Sequence, residues 1–261
     1  AAEAAQAAAE AAQAAAEAEA VVTPVSLALK SVAAADTLIG TSADDTFTGE
    51  GSAIDAGDKI VDQSTTDSDI ANLVYTSASL TGSTTLGVSV TNVESINADI
   101  QSLTSTITLD TANFSGVTDL NVSRTNPTVA DTVLVGGKNL TISNIDAGNT
   151  PVINVNSAIT TLIATYDGAT KDGAVINAAT TTGNITVTNG AVTLNAAATT
   201  GDISIEDEAS TTNTSAVVVN AAMASDIDVG TTSNDAFEGD ATVNAAEAAT
   251  VQITASGLNT V

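Results

Sequence analysis

The 261-residue chain has no cysteine, histidine or tryptophan, and aromatic residues make up only 2% of it. It therefore offers no disulfide framework, zinc finger, thiol nucleophile, serine–histidine triad or histidine-ligated metal. Basic residues are scarce too: five lysines and arginines stand against 31 acidic residues, a formal net charge of −26. Because phosphate contacts need clustered cationic side chains, this charge argues against nucleic acid and anionic membranes. A hard divalent cation is the natural partner for so many carboxylates.

Long apolar runs are also absent, which argues against insertion into a membrane. A strongly acidic chain with few aromatics can be disordered. Here, however, 43% of residues are hydrophobic, and Val, Ile and Leu occur in short alternating runs separated by Gly, Asn, Asp and Thr. That pattern is typical of β-strands, so we expect residues 21–261 to fold.

Residues 1–20 repeat the heptad AAEAAQA, and Pro24 follows them. Because alanine has the highest helix propensity, we predict an alanine-rich α-helix or spacer over residues 1–22. It lacks the large a and d residues of a normal coiled-coil core, and whether it forms a coiled coil is left open. The chain does not begin with Met, and we expect it to be a piece of a longer protein.

The rest of the chain is predicted to be all-β. Strand patterns follow one another without helical patterns between them. From about residue 90 onward the predicted strands include Thr106–Asp110, Asp119–Ser123, Thr132–Val135, Leu140–Asn144, Val152–Asn156, Leu162–Tyr166, Val175–Asn177, Ile185–Thr188, Val192–Asn195, Asp202–Ile205, Val217–Asn220, Asp226–Val229, Thr242–Asn244 and Val251–Thr254.

An internal repeat specifies the architecture. Ile176-Asn177-Ala178-Ala179 recurs around Asn195, Asn220 and Asn244, with steps of 18, 25 and 24 residues. A period of about 20–25 residues is typical of a solenoid whose turns stack on one another. Asn at strand ends can adopt left-handed geometry and form ladders between turns. We predict a parallel β-helix or β-solenoid, whose narrow interior would also explain the scarcity of aromatics.

A second repeat carries the candidate chemistry. The segment from Gly40 to Glu50 reappears 190 residues later as Gly230 to Asp240, with Gly, Thr, Asp, Phe and Gly at matching places. Glycines permit positive φ and expose carbonyls, carboxylates add hard oxygen ligands, and the Phe would anchor the turn on the core. The predicted calcium ligands are Asp44, Asp45, Glu50, Asp55, Asp58, Asp235 and Asp240. For the acidic loop Asp55–Asp69, a solvated surface turn is the open alternative.

The segment Gly40–Thr48 resembles a nonapeptide of the RTX (repeats-in-toxin) type, G-G-x-G-x-D-x-U-x, with Asp45 and Phe47 in the Asp and apolar places. Thr41 and Ala43 replace two of the glycines. An alanine-rich segment, this motif and a Thr/Asn-rich β body together resemble RTX-type bacterial surface-layer proteins and large secreted RTX proteins. The resemblance implies export by a type I system, calcium binding and assembly into a surface lattice. The C-terminal secretion signal of that family is not recognisable here.

These patterns divide the chain into a helix or spacer (1–22), an RTX-like calcium-binding entry region (23–90), a β-solenoid body (91–229) and the start of a second motif-plus-strand repeat (230–261). We expect a calcium-dependent, self-assembling structural protein of the extracellular bacterial cell surface. Its partners would be copies of itself, in a lattice or filament, and a surface glycan. A tandem-repeat RTX adhesin arm is the alternative, and ice binding a weaker one. Catalysis is not expected, because the chain lacks aromatic or basic residues to line a sugar-binding cleft.

Overall fold

The computed structural model describes residues 22–30, 34–55, 57–76, 85–86, 88–101, 107–110, 113–125, 131–135, 139–145, 152–155, 159–166, 174–188, 192–206, 216–230, 239–254 and 259–261. The helix predicted for residues 1–22 lies outside this set, apart from Val22, which has no regular secondary structure. Within these ranges the chain is all-β with one short 3-10 helix, Gly51–Ala53. No helix in the described part of the chain has the length and hydropathy to cross a membrane.

The strands, numbered in chain order, form three parallel sheets. Sheet A holds β1 Ser26–Ala28, β3 Thr46–Glu50, β5 Ile70–Tyr75, β8 Ser95–Gln101, β11 Asp119–Thr125, β13 Asn139–Ile145, β15 Thr161–Tyr166, β17 Asn184–Thr188, β19 Ile203–Glu206, β21 Asp226–Val229 and β23 Thr250–Ile253. Sheet B holds β2 Thr37–Ile39, β4 Lys59–Val61, β7 Ser89–Thr91 and β10 Phe114–Ser115. Sheet C holds β6 Thr85–Leu86, β9 Ile107–Asp110, β12 Asp131–Val135, β14 Val152–Val155, β16 Ala174–Asn177, β18 Val192–Asn195, β20 Val217–Asn220, β22 Ala241–Asn244 and β24 Asn259–Thr260.

This arrangement is a parallel β-solenoid, and it confirms the fold predicted from the strand pattern and the Asn repeat. Each strand pairs with the strand one turn earlier and one turn later, never with its neighbour in sequence. All the strands predicted from Thr106 onward overlap observed strands.

The core consists of aliphatic columns that run along the solenoid. In sheet A the register places Leu120, Leu140, Leu162, Ile185 and Ile203 directly above one another, and all are buried. Along each strand, the residues that alternate with these buried ones point outward and are polar or half-exposed. The strands therefore show the two-residue periodicity that the sequence displays. Stability therefore accumulates by packing each turn against its neighbours.

Asparagine ladders add polar contacts between the turns. In sheet C the side-chain amide nitrogen Nδ2 of Asn195 donates to Oδ1 of Asn177 at 2.8 Å, and Asn220 and Asn244 continue the series at 2.8 and 2.7 Å. The predicted ladder is thus confirmed. Left-handed backbone geometry at its members is not found, because Asn92 is the one non-glycine residue with positive φ in the described chain.

Sheet B gives the first turns a different course from the later ones. Strands β1 to β5 alternate between sheets A and B, the turns from β5 to β11 pass through sheets A, C and B, and the turns after β11 pass between sheets A and C. The corner at which the chain leaves sheet B and enters sheet A is therefore confined to the early turns. That corner carries the candidate site.

Candidate metal centre

Three consecutive connections from sheet B to sheet A, residues 40–45, 62–69 and 92–94, stack at this corner. Thr46, Ile70 and Ser95 begin their strands in register, so the residues just before them, Asp45, Asp69 and Glu94, occupy equivalent places one turn apart. The stacking of the turns therefore brings together acids separated by 24 and 25 residues in sequence.

Backbone hydrogen bonds hold these three carboxylates in a ladder. The N–H of Val25 donates to Oδ1 of Asp45 at 2.6 Å, the N–H of Asp45 donates to Oδ1 of Asp69 at 2.6 Å, and the N–H of Asp69 donates to Oε2 of Glu94 at 3.0 Å. Each acid thus accepts the N–H one turn earlier. Such bonds to a charged acceptor orient the carboxylate firmly.

Asp62 completes a buried triad with Asp45 and Asp69. It begins the second connection, and an oxygen from each of the three carboxylates lies within 4.8 Å of the others. Each of the three residues is only 1% exposed. Oδ1 of Asp62 and Oδ2 of Asp69 are buried and have no hydrogen-bond partner. Buried carboxylates without partners are costly, so this arrangement requires a proton or a cation.

The pKa of Asp69 reflects this environment. Its pKa is raised from 3.8 to about 7, chiefly by burial and also by the negative charges of Asp62, Asp67 and Glu94, while the hydrogen bond from the Asp45 backbone acts in the opposite direction. Burial and like charge both disfavour the ionised form of an acid. A bound divalent cation would offset both effects on the pKa of Asp69, because it supplies positive charge among the carboxylates.

Gly40 keeps space open beside the triad. A Cβ atom there would lie inside van der Waals contact of Asp62 Oδ1, 2.7 Å from Asp45 Oδ2 and 2.9 Å from Cζ of Phe47. Positive φ angles were expected for the motif glycines; Gly230 of the second copy has one, but Gly40 and Gly49 of the first copy do not. Glycine is therefore required at position 40 because there is no space for a side chain. Phe47 is fully buried, as predicted for the anchor of this turn.

The donor set fits a hard cation. The oxygens lie within 4.8 Å of one another, so no two are further apart than opposite ligands of one calcium ion at roughly 2.4 Å. The site offers carboxylate oxygens and the nearby Thr41 hydroxyl, which lies 3.1 Å from both oxygens of Asp45. The residues that could hold the ion are thus Asp45, Asp62 and Asp69.

Of the seven predicted ligands, Asp45 alone belongs to this triad. Asp44 is exposed, and its Oδ1 accepts the N–H of Ser68 at 2.9 Å. Glu50 is exposed at the far end of β3. Asp240 is exposed just before β22 of sheet C, and Asp235 lies outside the described residues.

Asp55 and Asp58 lie at another corner, where the chain enters sheet B. Asp58 is buried, and its two oxygens accept the N–H groups of Asp36 at 2.8 Å and Asp55 at 2.7 Å. Its carboxylate thus serves as a cap for the backbone. Neither residue joins the described groups of clustered acids.

The first glycines of the two motif copies lie at different corners. Gly40 follows β2 of sheet B, whereas Gly230 follows β21 of sheet A and has a φ of 72°. The 190-residue sequence match therefore does not correspond to equivalent positions in the solenoid.

Sequence reasoning missed Glu94 and left Asp62, Asp67 and Asp69 as members of an acidic loop. The signal was available in the spacing: Asp45, Asp69 and Glu94 are separated by 24 and 25 residues, within the range of the Asn repeat. Each also immediately precedes an alternating strand pattern.

Comparisons of the chain with protein-family models, curated proteins and solved structures return no match. The likeness to RTX proteins therefore stays a hypothesis from sequence.

Proposed function

We propose that the protein is a structural β-solenoid whose early turns are tied together by calcium, and that it assembles with copies of itself at the extracellular bacterial surface. The observation that supports this most directly is the buried triad of Asp45, Asp62 and Asp69, with two carboxylate oxygens that lack a partner. These residues come from two successive turns. A cation at this place would therefore strengthen the contact between turns.

Calcium suits this site better than magnesium. Calcium accepts about six to eight oxygen ligands in irregular arrangements, whereas magnesium demands octahedral geometry and retains several waters. The triad is almost completely buried, and its side chains are held by backbone hydrogen bonds. Such an enclosed set of carboxylates favours the ion that gives up its water more readily.

The net charge supplies the link from binding to assembly. At −26, copies of the chain repel one another. Calcium binding lowers that charge and holds the early turns in one conformation, so assembly would begin where free calcium is high, outside the cell. The lattice, its extracellular place and a glycan anchor are parts of the proposal that the RTX resemblance contributes.

Thermal unfolding tests the calcium site. We expect millimolar calcium to raise the melting temperature above its value in EDTA, with a smaller effect of magnesium at equal concentration. Asp62→Asn should remove most of the calcium effect. Asp202→Asn is the matched control, because Asp202 also precedes a strand of sheet A but is exposed. Equal calcium responses in both variants and the unchanged protein would contradict the site.

Electron microscopy tests the assembly. With calcium we expect ordered sheets or filaments, and after chelation dispersed particles, whereas moderate monovalent salt should leave the assemblies intact. Isolated rods in calcium would favour the alternative, an adhesin arm. Assemblies that persist unchanged in EDTA would refute calcium control.

A further inference from the structure

We propose that the acidic corner binds two divalent cations, with the Asp69 carboxylate shared between them. This inference rests on the proposed calcium site and adds a second ion to it. A second group of carboxylates, Asp67, Asp69 and Glu94, has oxygens within 4.8 Å of one another. It shares Asp69 with the triad of Asp45 and Asp62.

The side chain of Asp67 supplies the first argument. Both of its carboxylate oxygens are inaccessible to solvent, and neither has a hydrogen-bond partner. Asp67 does not belong to the triad, so an ion held by the triad leaves it uncompensated. In the same group, Asp69 is 1% exposed and its Oδ2 also lacks a partner. The half-buried Asp67 and the buried Asp69 thus both bring inaccessible oxygens without a partner to the second group.

The negative charge of the acidic corner also favours a second ion. The two groups together contain five carboxylates: Asp45, Asp62, Asp67, Asp69 and Glu94. When all are ionised, one divalent cation leaves three negative charges at the corner and two leave one. Because uncompensated like charges in a buried place are costly, the second ion removes most of the remaining repulsion.

The two ions would have distinct structural roles. The first group joins the turn that enters β3 to the turn that enters β5, through Asp45 and Asp69. The second joins the β5 turn to the β8 turn, through Asp69 and Glu94. Together they would hold three consecutive turns, along the same line as the backbone ladder.

Calcium titration by calorimetry on the full chain, in about 0.15 M KCl to screen diffuse binding, tests the proposal. We expect two ions per chain. Asp62→Asn should remove the first and Asp67→Asn the second, leaving one ion in each variant, and Asp69→Asn should weaken binding of both by at least tenfold. The exposed control Asp202→Asn should still bind two. Asp67→Asn is the sharpest probe, because Asp67 accepts no hydrogen bond that the substitution could disturb.

Each outcome decides the question. One ion in the unchanged protein, with binding untouched by Asp67→Asn, would overturn the second site and leave the proposed calcium function standing. No binding by the unchanged protein would overturn both. Circular dichroism in EDTA checks that every variant is folded, which we expect because Asp62→Asn, Asp67→Asn and Asp69→Asn each remove one of the repelling charges and Asp202 is exposed. Calcium-induced stabilisation should then be smaller in Asp67→Asn than in the control.

Discussion

The pH dependence of stability should reveal the buried carboxylates directly, and the replacement Asp69→Asn isolates their effect. Asn keeps an oxygen that can accept the N–H of Asp45, now 2.6 Å from Asp69 Oδ1, but it cannot ionise. Comparison of the variant with the unchanged protein in EDTA therefore separates the cost of the Asp69 charge from every other titration in the chain.

The direction in which stability changes with pH follows from the raised pKa of Asp69, which is about 7 in the folded chain against an ordinary 3.8. Below pH 3.8 the carboxyl is protonated in both states and contributes fully to stability. Between these values the unfolded chain loses the proton and the folded chain retains it, so the free energy of unfolding falls as pH rises. A difference of about three pH units corresponds to ~4 kcal/mol at most. Because the acidic loop can relax towards water, we expect about half of that.

Chemical denaturation at intervals from pH 4 to 7.5 measures this loss. In EDTA the free energy of unfolding of the unchanged protein should fall by roughly 2 kcal/mol more over this pH range than that of Asp69→Asn. In millimolar calcium the slope should reverse, because the ion binds the deprotonated carboxylates. Parallel profiles for the two proteins in EDTA would show that Asp69 is not strained by burial and like charge, and the reasoning behind the site would fail.

Three further substitutions test other parts of the structure, each by chemical or thermal unfolding. Gly40→Ala should weaken calcium binding and destabilise the fold, since a Cβ atom would meet the carboxylates and Phe47; unaltered binding would count against a site at this corner. Phe47→Ala should cost about 3–5 kcal/mol, because a fully buried ring is replaced by a cavity, and a cost under ~1 kcal/mol would contradict its role as anchor. Asn220→Ala should cost about 1–2 kcal/mol, because Asn220 bonds to the side chains of both Asn195 and Asn244; a neutral result would mean that the ladder adds no net stability.

The fold was largely readable from the sequence, for a local reason. In a strand with one face buried, residues alternate, and this alternation is present in short runs such as Ile185–Thr188 and Val192–Asn195. The Asn repeat then indicated which strands stack, because identical side chains at equivalent places can bond between turns. Both signals lie within about one turn of chain, so no knowledge of distant contacts was needed.

The site was only partly readable. Asp45 was among the predicted ligands, but Asp62, Asp69 and Glu94 were not. Asp58 was also a predicted ligand, and in the structure its oxygens accept backbone N–H groups. Position in the stacked turns decided between these roles, because Asp58 is also buried but joins neither of the described groups of three clustered acids. The sequence shows a dense acidic loop, and it does not show which of its side chains turn inward.

By itself, the sequence determined an all-β chain with turns of about two dozen residues, a charge that calls for cations, and a glycine–aspartate–phenylalanine motif near one end. The tertiary structure alone decided that sheet B creates a corner in the early turns, and that Asp45, Asp62 and Asp69 meet there. It also placed Gly40 and Gly230 at different corners. The physical reason is register: connections of unequal length lie between the strands, and only the pairing of whole turns determines which carboxylates are brought into contact.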